Sequence, residues 1–311
     1  MRTRSLGSGG PEVSVVGLGC NNFGSRVDEA GTRAVVGAAL DAGVTLFDTA
    51  DVYGNRGGSE ELLGKALKGR RDEVVLATKF GHAMSDDAPP NRGSREYVRA
   101  AIEASLKRLR TDRVDLYQYH RPDGITPLAE TLGAMSELVD EGKVHHIGSS
   151  NFDGRMIVEG DDLARDRGWH RLVSAQNEYS FLKREAEEEL LPTCERLGIG
   201  VLPYFPLASG LLTGKYRRGQ PPPAGSRLVT RPESITDEMF DTIEELERYA
   251  EQHGVTLLDV AIGGLLAIPA ISSVIAGATK PEQVRANAAA GDWQPSTADL
   301  DALSAALNAP G

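Results

Sequence analysis

The chain holds two cysteines in 311 residues, Cys20 and Cys194. They are far apart and in no metal-ligand spacing, which argues against a disulfide framework and a zinc site and fits a reducing compartment. Positive charge is in deficit: 34 Lys and Arg against 45 Asp and Glu give a net charge of −11. That disfavours nonspecific binding to nucleic acid or anionic membranes, while leaving room for an anionic ligand held by a local basic patch. No apolar run follows Met1-Arg2-Thr3-Arg4-Ser5-Leu6-Gly7, so a signal peptide is not expected and a cytoplasmic location is. The stretch nearest to a membrane span, Val260 to Ala278, is broken by Gly263-Gly264, Pro269 and Ser272-Ser273 and lacks charged anchors. It reads as a buried helix followed by a buried strand. The glycines of Gly17-Leu18-Gly19-Cys20-Asn21-Asn22-Phe23-Gly24 lack the Gly-x-Gly-x-x-Gly spacing, which removes the doubly wound dinucleotide fingerprint.

What is present is an alternation. Apolar content of 40% and charged content of 25% suit a globular chain with a sizeable core. Arg4 to Leu6 and Val13 to Val16 flank a glycine turn and read as a hairpin. Strands are then expected near Leu18, at 44–48, 74–79, 114–120, 144–149, 172–176, 200–204 and 273–276. Helices are expected at 29–42, 59–67 (N-cap Ser59), 94–109 (N-cap Ser94), 127–141, 154–167, 185–197, 236–253, 256–267, 281–290 and 297–307. A long Pro/Gly-rich loop runs from about 209 to 234, and loops of that length are usually functional or mobile. Eight strand–helix units imply a parallel sheet. The expected fold is one (β/α)8 TIM barrel over 1–311, its bottom closed by the N-terminal hairpin, with a C-terminal helix and loop extension.

In such barrels the chemistry sits at the C-terminal strand ends. Those ends carry Asp48, Lys79, His120, Ser149 with Asn151, Gln176 and Tyr204, and Tyr53 follows Asp48 closely. Taken singly, each has a bland reading: Asp48 a turn cap, Lys79 a solvated strand end, His120 a satisfied core histidine, Tyr53 loop packing. Taken together they form a proton-transfer set. Lys79 pairs with Asp48 and favours phenolate at Tyr53, lowering its pKa. His120 fixes a substrate oxygen. A hydride reaching carbon at the same moment cannot come from a side chain, so a nicotinamide is required. His145, His146, Trp169 and Trp293 read as packing or surface, Glu185 to Glu189 as a solvated helix face, and Tyr97 and Phe181 as either pocket or packing.

The segments that carry this chemistry resemble the aldo-keto reductases along nearly the whole chain. They are Phe47-Asp48-Thr49-Ala50-Asp51-Val52-Tyr53-Gly54, Ala77-Thr78-Lys79-Phe80-Gly81, Tyr117-Gln118-Tyr119-His120-Arg121-Pro122-Asp123, Ile147-Gly148-Ser149-Ser150-Asn151-Phe152, Gln176-Asn177-Glu178-Tyr179, Pro206 to Lys215, and Gly277 to Gln283. The resemblance implies a tetrad of Asp48, Tyr53, Lys79 and His120, with Tyr53 the general acid. It implies NADP(H), with NAD(H) as the alternative, and a small carbonyl substrate. Ser149, Asn151 and Gln176 would hold the carboxamide, and Tyr204 would stack on the nicotinamide. Gly19, Cys20 and Asn21 join the cofactor set, with plain packing equally open for Cys20. Leu207, Ser209, Gly210 and Leu211 would line the pyrophosphate passage, with Phe205, Pro206 and Lys215 beside it. Gly277, Thr279, Lys280, Gln283 and Asn287 would surround the adenosine and its 2′-phosphate, and Lys280→Ala would weaken NADPH binding more than NADH binding. Phe205, Gln283 and Gly263-Gly264 depart from many relatives, and Gln283 removes a cation from the phosphate site. Two other functions share this scaffold: a nucleotide-binding redox sensor, as in the channel β subunits of the superfamily, and sugar oxidation or epimerisation. The intact tetrad and the absence of an N-terminal extension favour the enzyme over the sensor.

Overall fold

The computed structural model describes residues 1–307; residues 308–311 of the expected domain lie outside the described residues. Eight parallel strands form one curled sheet: β3 (Val16–Gly19), β4 (Leu46–Asp48), β5 (Val75–Phe80), β6 (Val114–Tyr119), β7 (Val144–Ser150), β8 (Leu172–Gln176), β9 (Gly200–Val201) and β10 (Val274–Gly277). Their order is β10-β3-β4-β5-β6-β7-β8-β9. The two ends of that order meet, because Ser272 N–H donates to Val201 O and Ile275 N–H to Pro203 O, both at 3.1 Å. Strands β1 (Thr3–Ser5) and β2 (Glu12–Ser14) pair antiparallel as the hairpin.

Side chains two apart on a strand share a face, and this periodicity divides the inside of the curl into layers. Leu46, Ala77, Leu116, Val173, Leu202 and Ile275 form a buried apolar cluster with Leu6 and Val13 of the hairpin region. Two residues further along β4, β5 and β6 stand Asp48, Lys79 and Gln118, so a polar layer lies above the apolar one at the C-terminal ends. A second, larger apolar cluster fills the space between sheet and helices.

The surrounding helices are α1 (Glu29–Asp41), α2 (Tyr53–Ala66), α3 (Arg95–Leu109), α4 (Leu128–Asp140), α5 (Gly154–Arg167), α6 (Leu190–Leu197), α7 (Asp237–His253), α8 (Leu257–Leu266), α9 (Pro281–Ala290) and α10 (Thr297–Leu307). Ser94 caps α3 as expected, accepting from Tyr97 N–H. Ser59 does not cap α2: its buried hydroxyl donates to Cys20 O at 2.8 Å. The turn into α2 is instead made by Gly54, Asn55, Arg56 and Gly57, all at positive φ. The expected helix at 185–197 splits into a 3-10 turn (Glu185–Glu187) and α6. Pro192 has no N–H to give to Glu188 O, so the α-helix starts only within the turn before it. Gly263 and Gly264 are accounted for by close packing, since a Cβ on either would lie 2.8 Å from Trp293 or 2.9 Å from Phe181. Gly64 of α2 packs tightly against the end of α3, and a Cβ there would stand 2.5 Å from Leu109 O. Gly64→Ala is therefore expected to lower stability by about 1–3 kcal/mol, read as a reduced thermal midpoint.

Candidate active site

A cavity of about 480 Å³ opens at the C-terminal end of the sheet, within the range of small-ligand sites. Asp48 sits beneath it, almost wholly buried, with every carboxylate oxygen engaged. Its Oδ2 accepts from Lys79 Nζ at 2.6 Å, and its Oδ1 accepts from Gln118 Nε2 at 3.1 Å and Gln176 Nε2 at 2.9 Å. Lys79 is fully buried and also donates to Thr49 O at 2.8 Å and Tyr53 Oη at 3.5 Å. A buried ammonium needs such pairing, because an isolated charge is expensive to dehydrate. Burial alone would lower the Lys79 pKa, but Asp48 and Tyr53 together outweigh it and the net shift is upward.

The Tyr53 phenol differs from the sequence-based expectation of a lowered pKa. Burial raises it above the ordinary value of 10.0, more than the neighbouring Lys79 ammonium lowers it, and Asp48 adds to the rise. Tyr53 therefore stays protonated at neutral pH, as a proton donor requires. His120 packs edge-on against Tyr53, with ring centroids 5.6 Å apart, and against His82 at 4.4 Å. Burial, then the charges of Lys79, His82 and Arg121, push its imidazole down to about 2, so it is neutral in any working buffer. Neutral imidazole can donate one hydrogen bond to a substrate oxygen without competing for the proton.

Around this floor the wall carries most of the expected cofactor set: Gly19, Cys20, Asn21, Asn151, Gln176, Tyr204, Phe205, Pro206, Leu207, Ser209, Gly210, Lys215, Gly277, Thr279, Gln283 and Asn287. Asn151 donates to His120 O, and its Oδ1 accepts from Tyr204 Oη at 2.8 Å, which fixes the tyrosine at the mouth. Phe205, Ala208 and Ser209 hold positive φ of 44–59° beside Gly210 at 95°. Ala208, Ser209 and Gly210 are thus three left-handed residues in a row, a strained arrangement of the kind common at ligand clamps. Cys20 lines the cavity and is packed too: it is fully buried, and burial pushes its thiol well up, which disfavours the nucleophilic thiolate.

Three residues of the expected cofactor set are not on the wall. Ser149 is fully buried, and its hydroxyl donates to Ser174 O at 3.5 Å. Leu211 is buried in the core. Lys280 stands exposed as the N-cap position of α9, outside the cavity lining. Phe23 and Tyr179 are core. Phe181 packs in the core, and the Tyr97 hydroxyl donates to His82 O. Sequence reasoning missed Gln118, which the two-residue alternation after Leu116 would have found. It also missed Arg26 and Arg227. Arg227 lies over the Phe205 ring at 5.2 Å, and Arg26 donates to Gly225 O at 3.0 Å, tying the long loop to the segment after β3. Isolated arginines in loops carry no periodic signal.

The family model for the aldo/keto reductase family matches residues 15–308. The chain belongs to the aldo/keto reductase family. This aldo/keto reductase is 40% identical over 290 residues to a Bacillus subtilis (strain 168) protein named uncharacterized oxidoreductase YrpG, covering 90% of this chain and 88% of that one. It is 36% identical over 307 residues to a probable voltage-gated potassium channel subunit beta of Oryza sativa subsp. japonica, and 35% identical over 307 residues to the Arabidopsis thaliana protein of the same description. Each of these alignments covers 95% of this chain and 92% of the relative. Family and relatives support oxidoreductase activity. Among the described residues, no helix is long and apolar enough to cross a membrane.

Proposed function

We propose that this protein reduces an aldehyde or ketone to an alcohol with NADP(H), on a complete (β/α)8 barrel whose hairpin forms the floor. The observation that carries the reading is the buried Lys79 ammonium, which touches both Asp48 and Tyr53 beside a neutral His120. The wall suits an extended nicotinamide nucleotide. Gln176 Oε1 makes no hydrogen bond among the described residues and is available to a carboxamide. The Arg227 guanidinium on the wall suits a phosphate. When bound, the nicotinamide supplies a hydride to the carbonyl carbon. Tyr53 Oη gives its proton to the carbonyl oxygen as negative charge grows there, and Lys79 stabilises the phenolate left behind. His120 holds the same oxygen in place, and Asp48 holds Lys79.

The likeness to channel β subunits favours a second reading, a nucleotide-binding subunit that reports redox state to a partner. Titration with NADPH and NADH, followed by a panel of aldehydes and ketones, separates the two. Tight NADPH binding with consumption on a carbonyl is the expected result; tight binding with no turnover on any carbonyl would support the sensor.

Arg227 lines the cavity over Phe205, beside the expected pyrophosphate passage, and Lys280 does not line it. Arg227→Ala is expected to weaken NADPH and NADH binding alike, about tenfold, the loss of one charge-assisted contact. Lys280→Ala is expected to have the smaller effect, greater for NADPH than for NADH. Equal losses for both nucleotides in Lys280→Ala would remove Lys280 from the 2′-phosphate site.

A further inference from the structure

We propose that Arg121 forms an anion subsite at the rim of the active-site cavity and selects carbonyl compounds that carry a carboxylate or phosphate near the carbonyl. The inference rests on the reductase reading above and names its substrate class.

Arg121 directly follows His120 and lines the cavity, yet its guanidinium makes no hydrogen bond or ion pair among the described residues. Most of the other arginines are committed, many of them to carboxylates, as Arg108 is to Glu60, Arg218 to Asp241 and Glu244, and Arg184 to Glu187. The nearest acid in sequence, Asp123, is turned away. Its two oxygens accept from the N–H groups of Gly93, Ile125 and Thr126 and from the Thr126 hydroxyl. The charge of Arg121 acts on His120, His82 and Tyr204, the groups at the reacting end of the cavity. Glu178 also acts on Tyr204, but among the described residues it forms no ion pair with Arg121. Of the two other arginines on the wall, Arg26 is bonded to Gly225 O, and Arg227, over Phe205, is the one proposed above for a nucleotide phosphate.

Among the described residues, Asp48 is the one acid on the cavity wall, and Lys79 neutralises it. A chain of net charge −11 repels anions at long range, so capture of one depends on a local, unpaired cation of this kind. A guanidinium offers the planar fork that matches carboxylate or phosphate oxygens.

The test uses matched pairs: 4-formylbenzoate with its methyl ester, and glyceraldehyde 3-phosphate with glyceraldehyde. Binding to the NADP⁺-loaded protein, and to the unloaded protein, is measured by calorimetry; kcat/KM with NADPH is measured in parallel. The charged member of at least one pair is expected to bind at least tenfold tighter and to react correspondingly better. Which pair shows the preference decides between carboxylate and phosphate. Arg121→Gln is expected to remove that preference while changing the neutral member and the NADPH affinity by less than threefold. Equal binding of both members of both pairs by the unsubstituted protein would overturn the subsite. So would a preference that survives Arg121→Gln, or a loss of NADPH affinity in its place. Binding of a charged member without turnover of any carbonyl would leave the subsite standing and remove the reductase reading.

Discussion

Replacing Tyr53 by Phe is expected to lower carbonyl turnover by about 10²- to 10⁴-fold, the range associated with loss of a positioned general acid. NADPH affinity should stay within a factor of about three, because the lost hydroxyl makes one 3.5 Å contact, to Lys79, and the ring keeps its edge contact with His120. The split between chemistry and binding is the informative part. A residue that served only packing would move the thermal midpoint and both constants together. The pH profile adds a second readout. Burial holds the phenol above its ordinary value, so the proton donor is present throughout the neutral range, and reduction should decline only at alkaline pH beyond 10. Alcohol oxidation needs the phenolate and should rise over the same range. Unchanged turnover in Tyr53→Phe would remove the proposed mechanism and assign the proton to a donor other than Tyr53. His120, neutral down to about pH 2, should contribute no limb to either profile in the working range.

The site was legible where chemistry and periodicity coincide. Asp48, Lys79 and His120 end or directly follow apolar strands, so strand recognition and strand ends were enough to bring them together. Ser94, Asp153 and Thr256 sit at helix starts with their side chains on backbone N–H groups, a signal that the sequence carries locally. The failures have equally definite causes. Ser59 has a good capping residue type, but the chain before it is wound left-handed by Gly54 to Gly57, and the hydroxyl finds Cys20 O across 39 residues. The helix at 185–197 looked continuous because apolar spacing outweighed Pro192. The direction of the Tyr53 shift was misjudged because a cation nearby is visible in sequence, whereas dehydration depends on how much of the chain closes over the ring. Arg227 lies in a loop whose conformation is set by contacts with Arg26 and Phe205, and no local pattern encodes those.

Asp51→Asn is expected to make the protein more stable at neutral pH, and increasingly so as pH rises. Asp51 is 1% exposed, and neither carboxylate oxygen has a hydrogen-bond partner among the described residues. Burial raises its pKa from 3.8 to about 8; the Glu60 carboxylate adds to this, and Arg108, the nearby Val52 N–H (too poorly placed for a full hydrogen bond) and Lys79 oppose it. Tyr97 and Tyr117 are the other titratable groups that feel its charge. Arg108 is already occupied by Glu60 Oε2 at 2.6 Å, and Glu60 Oε1 by the Thr78 hydroxyl, so Asp51 has no free cation to pair with. Between pH 4 and 8 the folded chain keeps a proton that the unfolded chain has released. Stability from this group is therefore complete below about pH 4 and is lost as pH rises towards 8, at roughly 1.4 kcal/mol per pH unit. Asparagine has nearly the same shape and no charge to dehydrate, which removes that slope. The gain should be small near pH 4 and on the order of 4 kcal/mol at pH 7, an upper bound because local rearrangement relieves part of the cost. Urea unfolding of both proteins at pH 5 and pH 7.5 measures it. A difference in stability that does not grow with pH would mean that Asp51 is ionised in the folded chain and shares the Arg108 guanidinium with Glu60. The Asp51→Asn variant would then be the less stable protein, because the substitution would strip a partly buried cation of one of its two counter-charges. Since Asp51 lies two residues before Tyr53 and its N–H donates to Lys79 O at 3.1 Å, the same substitution also reports whether the carboxyl group at this position takes part in the chemistry. Retained NADPH affinity and turnover in the stabilised variant would assign the carboxylic acid to a cost of the site, with no part in its chemistry.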